Sequence, residues 1–149
     1  MSNLKTTIGL LAAVATVGVA ATANAAAAPA APSKPLHVTK ECSEYFGQAG
    51  QFCTITSSNI RAIEPGMRVV YLSPLAGPVL DTDIVLSAGR GGTATGHVVL
   101  DTTTGLGRVT FSGGTGKFTQ FHASVDVSFD GEWRWDGTYS HGQAGDAGN

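Results

Sequence analysis

Residues 117–140 read KFTQFHASVDVSFDGEWRWDGTYS, and the fold class turns on them. From Phe121 the apolar residues Phe121, Ala123, Val125, Val127 and Phe129 fall on odd positions, and His122, Ser124, Asp126 and Ser128 alternate with them. Alternation with a period of two marks a strand with one buried face, so a strand is expected over 117–129 with its odd side inward. In the next segment Trp133, Trp135, Gly137 and Tyr139 share one face against Arg134, Asp136, Thr138 and Ser140. Asp130-Gly131 suggests a two-residue hairpin turn. That register pairs Phe129 with Glu132 and Val127 with Arg134, and throws the two apolar faces onto opposite sides of the sheet. A connection of Asp130, Gly131 and Glu132 instead pairs Phe129 with Trp133, Val127 with Trp135, Val125 with Gly137 and Ala123 with Tyr139. Burying both apolar faces together outweighs turn propensity, so this second register is expected.

The chain after residue 36 repeats this pattern. β-Branched and aromatic residues recur in short runs near Gln51–Ser57, Asn59–Ile63, Met67–Ser73, Val79–Ser87, Thr93–Asp101, Gly107–Ser112, Lys117–Phe129 and Glu132–Ser140, with a further short run at His37–Cys42. Gly, Pro, Asn and Asp punctuate them, and no window carries a helical apolar stripe. Short turns without intervening helices give an antiparallel meander, and a meander of this many strands removes its exposed edges by closing on itself. The expected fold is all-β: a single antiparallel eight-stranded β-barrel over 36–141, with 142–149 a disordered tail.

Residues 1–25 read as a signal peptide, in which Lys5 is the only charge, 8–21 is apolar, and Ala23-Asn24-Ala25 is a small-x-small cleavage site. The apolar run is short for a membrane span of roughly 20 residues, so no stable membrane anchor is expected after cleavage. Residues 26–35 are almost wholly Ala and Pro, and Pro29, Pro32 and Pro35 remove amide donors at every turn, which makes this stretch a disordered arm. The expected location is secreted or periplasmic. Cys42 and Cys53 are the only two cysteines, and an exported chain meets an oxidising compartment, so they are expected to pair.

Charged residues make up 13% of the chain, against about 25% in an average domain, which excludes a charged coiled coil and an acidic disordered segment. The net charge is −2 and no basic stripe is present, so no nucleic acid partner is expected. Asp81 and Asp83 share one strand face about 7 Å apart. Leu80, Ile84 and Leu86 claim the opposite face, which leaves the carboxylates on a solvated exterior. His97 and His122 oppose the apolar sets of their strands, His141 sits at a strand end, and their spacing matches no zinc signature, so neither metal nor cofactor is expected. No Gly-x-Ser-x-Gly elbow occurs.

Gly113-Gly114-Thr115-Gly116-Lys117 looks like part of a phosphate loop, but the required earlier glycine position holds Phe111, Phe118 follows the lysine, and strands flank both sides. The glycines serve a hairpin connection. The run Val109-Thr110-Phe111-Ser112-Gly113-Gly114-Thr115-Gly116-Lys117-Phe118, followed by a long alternating strand and Trp135-Asp136-Gly137-Thr138-Tyr139, resembles the allene oxide cyclase-like barrels and the related dirigent barrels. The resemblance covers 109–139. It implies an eight-stranded antiparallel barrel with an apolar central cavity and, by analogy with the plant members, a homo-oligomer such as a trimer. The plant cyclases act on a fatty-acid epoxide and dirigent proteins steer phenolic radical coupling; no catalytic residue is carried over, because those lie largely outside the matched segment.

Phe111, Phe121, Val125, Val127, Trp133, Trp135 and Tyr139 are the candidate ligand-lining residues, with core filling as the competing role for these side chains and for Phe129. The late strands offer one inward polar group, the Tyr139 hydroxyl, and around Glu64, Asn59 and Tyr71 the alternation is too weak to assign a face. The functional expectation is an exported barrel that binds an apolar small molecule, or a partner, without catalysis. The alternative is a cyclase-like isomerase acting on an apolar substrate.

Overall fold

Alternation along the chain resolves into eight strands: β1 (Lys34–Glu41), β2 (Phe52–Ser58), β3 (Arg68–Tyr71), β4 (Val79–Ser87), β5 (Thr93–Asp101), β6 (Leu106–Gly114), β7 (Phe121–Phe129) and β8 (Trp133–His141). Each pairs antiparallel with the next, and β8 returns to β1, so the sheet closes as a barrel with no free edge. This computed structural model describes residues 32–142. The signal-peptide reading of 1–25, the arm up to residue 31 and the tail beyond 142 lie outside the described residues.

The β7–β8 hairpin takes the expected register, with Phe129 opposite Trp133, Val127 opposite Trp135, Val125 opposite Gly137 and Ala123 opposite Tyr139. Gly131 supplies the positive φ of 98° that the connection needs. Gly137 is required for a second reason: a Cβ there would collide with the Ser124 carbonyl oxygen across the ladder.

Three boundaries and one burial differ from the sequence reading. The 59–63 stretch is not a strand; the chain turns at Asn59, whose amide side chain takes over the pairing of β1. His37 N donates to Asn59 Oδ1 at 2.7 Å and Asn59 Nδ2 donates to the Pro35 carbonyl at 3.1 Å. Ile63 and Met67 then bury themselves, and the Met67 carbonyl accepts from Ile55 N of β2 at 2.8 Å. The eighth strand is instead β1, which begins at Lys34, so the last residues of the Ala/Pro arm join the barrel. Pro35 is tolerated because its missing donor is not called on and its carbonyl is met by Asn59. Residues 116–118 form a 3-10 turn rather than the start of β7, held by Phe118 N donating to the Thr115 carbonyl. This turn explains why apolar parity shifts between Phe118 and Phe121: both are buried, with rings 5.4 Å apart, although they sit an odd number of residues from one another. Phe129, expected inward, is 52% exposed because it occupies the last position of β7, at the rim.

Cys42 and Cys53 form a disulfide, which straps the loop between β1 and β2. Closing a loop of this length is worth about 3 kcal/mol in the chain-entropy picture. Among the described residues, no helix is long and apolar enough to cross a membrane.

Candidate functional site: a buried lysine at one end of the barrel

β1 places Leu36, Val38 and Lys40 on its inward face, so a lysine stands where the strand pattern calls for an aliphatic residue. Lys40 is 3% exposed. Its Nζ donates to the Tyr71 hydroxyl of β3 at 2.7 Å. Three rings surround the amine, with centroids 5.3 Å away for Trp135 and 5.5 Å away for Trp133 and Tyr71. The strapped loop adds Tyr45, whose ring lies 4.4 Å from that of Tyr71, and the disulfide sulfur of Cys53 lies 3.4 Å from the Tyr71 hydroxyl. Two polar atoms of this cluster, Trp135 Nε1 and the Tyr45 hydroxyl, are buried without a hydrogen-bond partner among the described residues.

Taking an ammonium out of water costs several kcal/mol unless an anion compensates. Among the described residues no carboxylate lies within ion-pair distance of Lys40. The aromatic faces attract a cation, but each contributes only about 0.5–2 kcal/mol. Burial therefore dominates and lowers the Lys40 amine from 10.5 to about 7. The same burial pushes the Tyr71 hydroxyl well above its ordinary value, so it remains a phenol at neutral pH. At pH 7 a substantial share of Lys40 is a free amine beside a phenol: a nucleophile next to a proton donor, walled by indole rings.

Of the candidate lining residues, Phe111, Phe121, Val125, Val127 and Trp135 are buried in the central cluster, whereas Trp133 and Tyr139 are only partly buried and pack against it. Phe111 touches both Phe121 and Trp135, with centroids 5.9 and 5.6 Å apart. Tyr139 lies near the opposite end from Lys40, its ring 5.9 Å from Phe121. Of the three unassigned polar candidates, Tyr71 faces the interior, while Glu64 and Asn59 are exposed. Lys40 was missed because β1 read as a brief run at 37–42 and lysine is an exposed residue by habit. The available signal was parity, since Leu36, Val38 and Lys40 are two residues apart.

Asp81 and Asp83 lie on the exterior as expected, and they grip His97 from the neighbouring strand. Nε2 meets Asp81 Oδ1 at 2.7 Å and Nδ1 meets Asp83 Oδ1 at 2.8 Å. The hydrogen bond to Asp83, followed by that to Asp81, raises the histidine above its ordinary value. A shallow outer groove of about 320 Å³ runs past this group and is lined in part by Leu72, Thr95 and Thr110. With both ring nitrogens engaged, His97 has no nitrogen left to act as a base. The Gly113–Lys117 loop spends its polar groups on the barrel: Thr115 N donates to the Thr93 carbonyl, and Thr93 N donates to Thr115 Oγ1 at 3.1 Å. Neither place rivals the Lys40 cluster. No protein family, curated protein or solved structure matches the chain.

Proposed function

We propose that the protein is an exported β-barrel that binds an apolar small molecule inside the barrel, holding the molecule's one polar end at Lys40. The observation that carries this reading is the uncompensated amine. Nζ has Tyr71 as its hydrogen-bond partner, while Trp135 Nε1 and the Tyr45 hydroxyl in the same cluster have none among the described residues. Donors set in an apolar wall suit a ligand with a hydrophobic body and a single oxygen-bearing head. Catalysis is not part of the proposal.

Export enters through the signal-peptide pattern of 1–25 and is supported by a disulfide of the kind that persists in oxidising compartments. Kinship with the allene oxide cyclase-like barrels, and the homo-oligomer that goes with it, rests on the 109–139 segment. The intact mass of protein recovered from its own host is expected to correspond to a chain beginning at Ala26, with two cysteines that alkylate only after reduction. Retention of 1–25, or free thiols without reductant, removes export from the proposal.

Binding is tested on the same material. Native mass spectrometry is expected to find an apolar small molecule travelling with the protein, and its rebinding is expected to quench Trp133 and Trp135 fluorescence. Lys40→Met should weaken the binding of 1-decanol about fivefold, the worth of a neutral hydrogen bond of about 1 kcal/mol. If nothing co-purifies and a broad apolar library leaves both tryptophans unchanged, the barrel is a filled structural or protein-interaction module. Turnover of an epoxide or polyene that is lost in Tyr139→Phe transfers the assignment to an isomerase.

A further inference from the structure

We infer that Lys40 is a covalent capture site for apolar aldehydes, closing a reversible imine between Nζ and the carbonyl carbon; this deepens the binding reading above and rests on it. Nζ is inward, and it donates one hydrogen bond to Tyr71, which leaves its lone pair directed elsewhere. The groups that face it are Tyr71 from β3 and the indoles of Trp133 and Trp135 from β8, together with Tyr45 behind Tyr71; none of these carries a charge at neutral pH. A carboxylate ligand would bring a second charge out of water, whereas an aldehyde brings none, so the desolvated amine favours the neutral carbonyl. The rim of the barrel at this end is apolar as well. Phe46 of the strapped loop is 75% exposed, Phe129 is 52% exposed, and both lie at the end of the barrel where Lys40 sits. Phe129 packs against Trp133 at 4.8 Å between ring centroids, and Trp133 in turn faces Nζ.

The step balances without an oxidant or reductant. The lone pair of the neutral amine forms the N–C bond while the carbonyl π pair moves to oxygen. That oxygen takes the phenol proton of Tyr71, and the first Nζ proton returns to the phenolate. The hydroxyl of the resulting carbinolamine then departs with the second Nζ proton as water, leaving C=N. Lowering of the amine to about 7 by burial keeps much of it in the reactive form at neutral pH, where an ordinary lysine holds well under about 1% free base.

Cinnamaldehyde with sodium cyanoborohydride at pH 7 is the test. The full chain is expected to gain the mass of the aldehyde less one oxygen, and peptide mapping should place the label on Lys40 about tenfold or more above Lys34 and Lys117. The labelling rate should rise with pH to a half-maximum near 7. Lys40→Met should abolish the adduct, and Tyr71→Phe should slow its formation. Cinnamyl alcohol cannot form an imine, so its quenching of the tryptophans reports on binding alone. Quenching by the alcohol without a Lys40 adduct from the aldehyde overturns capture and leaves the binding reading intact. Absence of both overturns the two together, and equal labelling of all lysines shows surface chemistry and overturns capture.

Discussion

Lys40→Met is expected to make the protein more stable, by about 2–4 kcal/mol at pH 7, in chemical unfolding. A fall from 10.5 to about 7 corresponds to on the order of 5 kcal/mol of preference against the ammonium, at about 1.4 kcal/mol per pH unit. Methionine fills a similar volume and carries no charge. Against that gain stands the Tyr71 hydroxyl, which loses its 2.7 Å partner, at a cost of about 1 kcal/mol. The pH dependence has a definite sign. Between pH 7 and 10.5 the unfolded chain holds a proton on this lysine that the folded chain has released, so stability rises with pH across that window. From pH 7 to 9.5 the wild-type protein is expected to gain about 3 kcal/mol from this group, and Lys40→Met should lose that gain. A destabilised Lys40→Met protein, or one with the same pH slope as wild type, would mean that the amine reaches water.

Val125→Asp is expected to cost about 4 kcal/mol or more, a large fraction of the stability of an ordinary domain. Val125 is fully buried, and its cross-strand neighbours are Val109 on one side and Gly137 on the other, so a carboxylate there meets neither a cation nor a donor side chain from either partner. The control is Ser128→Asp on the opposite face of the same strand. Ser128 pairs with Arg134, and an aspartate there should change stability by no more than about 0.5 kcal/mol. Denaturant midpoints of the two variants decide the matter; equal midpoints would show that the faces of β7 are assigned the wrong way round.

What the sequence determined by itself was class and register. A period of two survives in any long strand with one face in water, so β7 is legible residue by residue and β4 at Leu80, Ile84 and Leu86. The hairpin register between β7 and β8 followed from matching two such patterns, and the disulfide followed from having only two cysteines. What only the tertiary structure decided was closure and its consequences. β1 is held by β8, nearly a hundred residues away, and by Asn59 after β2, and neither partner is visible in the local run 34–41. Whether a lysine in a short run points to water or to the interior depends on which strands flank it, because the long aliphatic stem is compatible with either side. Closure put Lys40 inside and Tyr71 against it, and it put Phe129 at a rim where the last inward position has no layer above it. Strand alternation is a property of neighbouring residues, whereas burial of a particular side chain is a property of every strand that surrounds it.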